Sequence, residues 1–142
     1  MKELGIIPES TELSPRSTWY NYGETKTGTN PAWDTLPKDR WLDLARRMAI
    51  YAAMIDRLDQ QIGRVVDDLT AAVELENTLI VFTSDKGACF DWDPLGFDTL
   101  SSKPNILHTG ERVEEMGQAG TFHSLGSGWA NAGLIGNSIV PI

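Results

Sequence analysis

The run Asn77-Thr78-Leu79-Ile80-Val81-Phe82-Thr83-Ser84-Asp85-Lys86-Gly87 decides how this chain is read. Leu79 to Phe82 are continuously apolar rather than alternating, the pattern of a strand covered on both faces inside a parallel sheet. Thr78 to Ser84 is therefore expected to form a buried strand. It ends on Asp85 and Gly87, at the carboxyl edge where open α/β sheets place their ligands. A carboxylate there can hold a hard cation, and a glycine allows a tight turn or a close approach.

Upstream of this run the periodicity changes. Trp41, Leu44, Met48, Tyr51, Ile55, Leu58, Ile62, Val65 and Leu69 recur at spacings of three and four. That spacing places them on one face of a helix, with Arg46, Arg47, Asp56, Arg57 and Asp59 largely elsewhere. Pro37 can precede the first turn without losing a needed hydrogen bond. Thirty-odd residues make a helix of about 50 Å, with Gly63 the expected place for a bend or a close backbone approach. Glu74 to Asn77 then turns the chain into the strand.

The flanks differ in character. Residues 1–37 hold Pro8, Pro15, Pro31 and Pro37 among Ser, Thr, Asn and Gly, and read as an extended arm pinned by Trp19, Tyr20, Tyr22 and Trp33. Residues 38–87 form the helix–strand core. Residues 88–142 are irregular and loop-rich, with a short strand expected near Leu134 to Val140. One central strand cannot make a doubly covered sheet, because its backbone groups would lack partners and its apolar faces would stay wet. The chain is thus expected to be an interior or truncated piece of a larger α/β domain.

Composition narrows the function classes. Twenty acidic against twelve basic residues give a formal charge of -8, which offers no footprint for nucleic acid or for an anionic membrane surface. Cys89 is the only cysteine, so an internal disulfide is excluded. The first residues lack the apolar core of a signal peptide, and no stretch approaches the roughly 20 apolar residues of a membrane helix. A soluble chain is expected, with its compartment left open.

A resemblance adds to this reading. Tyr51-Ala52-Ala53-Met54-Ile55-Asp56-Arg57-Leu58-Asp59-Gln60, the spacing to Asn77-Thr78-Leu79-Ile80, and the ending Ser84-Asp85-Lys86-Gly87 resemble the sulfatase family, in particular its arylsulfatase-like members. Gly126-Ser127-Gly128-Trp129-Ala130-Asn131 is similar to a Gly-x-Gly-Trp-Ala-Asn segment of those members. The resemblance implies an α/β fold, here an incomplete segment of an alkaline-phosphatase-like sandwich. It also implies hydrolysis of sulfate esters by a formylglycine made in a Cys/Ser-x-Pro-x-Arg motif, with a calcium ion held by aspartates and an asparagine.

Asp85 matches the metal-binding aspartate of that family, whereas Lys86 stands where the neighbouring asparagine ligand is expected. Calcium takes oxygen donors, and a lysine ammonium accepts no hydrogen bond and adds positive charge beside the cation. Leu13-Ser14-Pro15-Arg16 has the wrong spacing for the nucleophile motif and is assigned no catalytic role. The formylglycine nucleophile is accordingly expected to be absent, the calcium site incomplete and the chain inactive alone. A sulfate ester is a substrate only if the missing domain parts are present.

Other candidates rank lower. His108 and His123 are expected to pack in a loop, and Asp91, Asp93 and Asp98 to form a solvated loop, since they lack the spacing of an EF-hand. The alternatives to a hydrolase segment are a helix-mediated interaction module, in which the 41–69 stripe pairs with a partner helix or a second copy, and a binding protein that keeps the fold without the reaction.

Overall fold

The computed structural model describes residues 2–5, 8–12, 15–20, 27–84, 88–89, 93–98 and 105–133. Its dominant element is helix α1, Lys38–Ala71, unbroken over 34 residues as the periodicity predicts. Pro37 supplies the start: its φ of -64° suits the entry, and its carbonyl accepts from the Arg40 and Trp41 amides at 2.9 and 3.1 Å. Gly63 lies within the unbroken helix, and a Cβ there would meet nothing within 4 Å, so it marks no close approach.

The far end closes by a different device. Val73 donates to Thr70 O and Glu74 to Leu69 O, both at 3.0 Å, the paired bonds of a Schellman motif. That motif requires a left-handed residue, and Val73 takes it with φ 61°. Glycine ordinarily fills this position, because a β-branched side chain crowds its own backbone there. The chain then passes through a 3₁₀ turn at Leu75–Asn77.

The buried parallel strand expected next does not form. Leu79, Ile80, Val81 and Phe82 are 88, 48, 74 and 74% exposed and belong to no sheet. The reason is the one that makes parallel strands depend on context: the ladder and both apolar covers must come from other segments. Among the described residues the sheet that exists lies in the arm, where β1 (Thr18–Tyr20) pairs antiparallel with β2 (Thr27–Thr29). The arm expected to be extended therefore carries a short ladder, followed by a 3₁₀ turn at Trp33–Thr35. The strand expected at Leu134 to Val140 lies outside the described residues.

Burial concentrates at the first turns of α1. Leu44, Met116 and Ala130 are the buried apolar residues among those described, and Asp43 and Arg47 are buried beside Leu44. Trp33 stacks on Trp41 with centroids 6.0 Å apart and tilts against Trp129 at 5.3 Å. Trp41 Nε1 donates to Trp33 O at 2.6 Å, and Trp129 Nε1 to Leu44 O at 3.0 Å. Three indoles thus join the arm, α1 and the later helix α3 (Gly126–Gly133), which follows the short helix α2 (Arg112–Glu115). Further along α1, Tyr51, Met54, Ile55, Leu58 and Val65 remain exposed, so the apolar stripe is covered only near its start.

Helix α3 explains the Gly-x-Gly-Trp-Ala-Asn pattern. A Cβ on Gly126 would fall 2.2 Å from Gly96 N, and one on Gly128 would fall 2.7 Å from Pro94 O. Only hydrogen at these positions lets α3 lie directly against residues 93–96, where Ser127 N donates to Asp93 O at 3.0 Å. Asn131 Oδ1 accepts from Ser17 N at 3.1 Å, and buried Ser127 donates its hydroxyl to Asn30 Oδ1 at 2.7 Å, fastening the arm. A cavity of about 490 Å³ opens between these parts, lined by Leu36, Leu44, Leu95, Trp33 and Trp129, with Arg16 among its walls.

The strained helix end gives a direct test. Val73→Gly keeps the motif and removes the left-handed penalty, so it should raise stability by about 1 kcal/mol in urea denaturation. An unchanged or lower midpoint would mean that the left-handed cap carries no strain at this exposed position.

Candidate functional site

Asp85, the residue that the family resemblance marks as a metal ligand, lies outside the described residues together with Lys86 and Gly87. So does Asp91. The described part of the chain assembles a different polar centre around Arg47.

Helix geometry begins it. Asp43 and Arg47 are one turn apart on the same face, and Arg47 Nε donates to Asp43 Oδ2 at 3.1 Å. The guanidinium then reaches away from the helix. Nη2 donates to both Asp98 oxygens at 2.9 Å and to Ile106 O at 3.3 Å. Nη1 donates to Ser124 O at 3.2 Å and Phe97 O at 3.4 Å. The group's full donor capacity is directed at acceptors from four separate stretches of chain. The Arg47 side chain is wholly buried, which corrects its expected place on the polar side of α1. Burial is tolerated because both carboxylates are within bonding distance.

Each carboxylate carries a histidine. His108 Nδ1 lies 2.8 Å from Asp43 Oδ1, which also accepts the His108 backbone amide at 3.1 Å. His123 Nδ1 lies 2.7 Å from Asp98 Oδ1. An ionised carboxylate only accepts, so both Nδ1 atoms carry the hydrogen and Nε2 is the ring nitrogen left to each imidazole for another partner. The imidazoles meet edge to face with centroids 5.2 Å apart. Arg40 closes the rim, 3.3 Å from Asp43 Oδ2 and bonded to Asn105 Oδ1, while Asn105 Nδ2 donates to Leu95 O at 2.8 Å.

Asp98 is buried and fully engaged, not part of a solvated loop as expected. Burial by itself pushes its carboxyl up, but hydrogen bonds from Arg47, the Ile106 amide and His123, together with the Arg47 charge, hold it below the ordinary 3.8. The histidines are likewise brought to one buried centre. Their sequence positions gave no signal of this; the readable hint was the Asp43–Arg47 pair one turn apart. Cys89 is a free, exposed cysteine.

The calcium ion implied by the family resemblance does not fit this centre. Calcium takes about six to eight oxygen ligands. The donor group here consists of Asp98, His108 and His123, two of them nitrogen donors, and the Asp98 oxygens already accept from Arg47, Ile106 and His123.

A depressed carboxyl has a defined pH signature. Its stabilisation is complete above the unfolded value and is lost as pH falls through the folded one. Thermal stability should therefore fall below about pH 4 with a contribution from Asp98. Asp98→Asn should lose about 3–5 kcal/mol at neutral pH, since Arg47 and His123 lose a charged partner, and should show a shallower acid limb. Parallel melting curves of both proteins between neutral and acid pH check this; identical acid limbs would remove Asp98 from the account.

Known proteins place the chain. The sulfatase family model matches residues 10–120. An uncharacterized sulfatase of Schizosaccharomyces pombe is 36% identical over 132 residues, covering 92% of this chain and 22% of the relative. An arylsulfatase of Klebsiella aerogenes is 31% identical over 132 residues, 92% of this chain and 25% of the relative. A choline-sulfatase of Rhizobium meliloti is 36% identical over 74 residues, 52% of this chain and 14% of the relative. The chain thus spans about a quarter or less of the length of these relatives. No solved structure matches it. With the match running from the arm through α1 and the Arg47 centre, the chain belongs to the sulfatase family.

Proposed function

We propose that this chain is one part of a sulfuric ester hydrolase of alkaline-phosphatase-like fold, and that it does not turn over esters by itself. The family match supports the reaction class. The observation that carries the second half is the exposure of Leu79, Ile80, Val81 and Phe82 directly before Asp85. An apolar run of this kind becomes a sheet strand only when neighbouring strands flank it, and only then does the residue at its end acquire a fixed place in a site. The sequence also contains no Cys/Ser-x-Pro-x-Arg run from which the family's formylglycine would be made.

In this reading Asp85 is a calcium ligand of the assembled domain, and Lys86 weakens that site by placing an ammonium where an oxygen donor belongs. Among the described residues no helix is long and apolar enough to cross a membrane. The acidic surface supports neither a nucleic-acid nor a membrane partner.

A second reading, helix-mediated self-association, is favoured by the exposed Tyr51, Met54, Ile55 and Leu58 on consecutive turns of α1. Such a stripe resembles the seam of a paired helix. It would serve the same end as missing strands, by covering apolar surface.

Three measurements test these readings. The purified chain with calcium should show no turnover of an aryl sulfate, and in the assembled domain calorimetry should find calcium bound at least about tenfold more tightly by Lys86→Asn than by the parent. Turnover by the chain, or equal calcium affinity in the two proteins, contradicts the respective half. For self-association, light scattering should give a dimer that Ile55→Lys converts to a monomer; a parent that is already monomeric removes that reading.

A further inference from the structure

The two histidines of the Arg47 centre have a use beyond packing. We propose that His108 and His123 form a site for a divalent transition metal of the zinc class, with Asp43 and Asp98 as the carboxylates that orient them. The proposal is separate from the hydrolase reading, because neither histidine belongs to the run that ends at Asp85.

Four observations converge. Each imidazole has Nδ1 committed to a buried carboxylate, at 2.8 Å for His108 and 2.7 Å for His123. This is the arrangement that fixes the tautomer of a metal-binding histidine and leaves Nε2 as the ligand atom. Among the described residues His123 Nε2 has no hydrogen-bond partner, and it is buried on a side chain only 6% exposed. A buried polar atom left unpaired is costly, and a bound cation satisfies it.

The third observation is the spacing of the rings. Two imidazoles bound at about 2.0–2.1 Å to one tetrahedral ion hold their ring centres roughly 5 Å apart, and the observed separation is 5.2 Å. One donor atom from each of Asp98, His108 and His123 also comes within 4.8 Å of the others.

The fourth is access rather than charge, since Asp43 and Asp98 are balanced by the buried Arg47 and by Arg40 at the rim. His108, with a side chain 14% exposed, gives the ion a way in. Nitrogen donors select zinc, nickel, cobalt or copper over calcium and magnesium.

The experiment uses the full 142-residue chain and zinc itself. Calorimetry should give one zinc ion per chain, and X-ray absorption of the loaded protein should show two imidazoles on the metal. Because His108 and His123 are the only histidines in the sequence, that count identifies them without any variant. His123→Gln, whose amide can still donate to Asp98, should abolish binding while circular dichroism stays native. Asp43→Asn should weaken zinc about 10–100-fold. Calcium affinity should be the same in parent and His123→Gln, which separates this site from Asp85. No zinc uptake by the folded chain, a sulfur ligand from Cys89 in place of imidazoles, or unchanged zinc affinity in His123→Gln would each overturn the proposal.

Discussion

A single buried guanidinium organises this structure. Arg47 binds a carboxylate on its own helix and acceptors at Phe97, Asp98, Ile106 and Ser124, residues 50 to 77 positions further along the chain. With Leu44, Met116 and Ala130 as the buried apolar residues among those described, nonspecific burial is small. Directional bonds must therefore fix where the later segments lie. Buried ion pairs are poor sources of net stability, because desolvation consumes much of their attraction. Their contribution is geometric: a planar fork with five donors accepts few arrangements of its partners, and removing any partner leaves a buried charge uncompensated.

Around this hub, close backbone approach and aromatic contact extend the order outward. Gly126 and Gly128 let α3 touch residues 93–96, which lead into Phe97 and Asp98 at the hub. Trp129 then ties α3 to the carbonyl of Leu44, three residues before Arg47. Trp33 adds the arm through Trp41 and Trp129. The polar centre and the indole cluster thus hold adjacent turns of one helix, each restricting the motion of the other. Beyond Met54 the same helix bears exposed apolar residues, and the 79–82 run is exposed as well. Stability is accordingly graded along α1, high at its amino end and lower toward Ala71.

What was legible in the sequence follows from how local each determinant is. Helix α1 could be read because its apolar spacing and Pro37 are properties of neighbouring residues. The 79–82 run reads as a strand needing cover on both faces, but whether cover exists depends on other segments, and here those residues are exposed. Arg47 was misplaced for a physical reason: an arginine in a polar stretch is ordinarily solvated, and only Asp98, 51 residues away, makes its burial tolerable. Asp43 at one turn's spacing was the available hint. His108 and His123 carry no pattern of their own, since what joins them is the fold of the intervening loop onto α1. The Gly-x-Gly-Trp-Ala-Asn segment was recognisable as a pattern, yet the need for its glycines appears only when Pro94 and Gly96 lie beneath them.

The two metal chemistries suggested by this chain differ in kind and in place. In the proposed reading Asp85 would give an oxygen donor beside a Lys86 that opposes a cation, whereas the histidine pair offers nitrogen donors backed by carboxylates that already have a structural duty. Asp43, Arg47, Asp98 and His108 fall within the family-model match 10–120, and the 132-residue alignments to two sulfatases reach past His123 as well. The ion pairs alone satisfy Arg47, but they leave His123 Nε2 unanswered in a buried place. A hub that only held loops together would be served by any donor on Asp98. An imidazole adds a second nitrogen on the far side of the ring, and that nitrogen faces a use which packing does not supply.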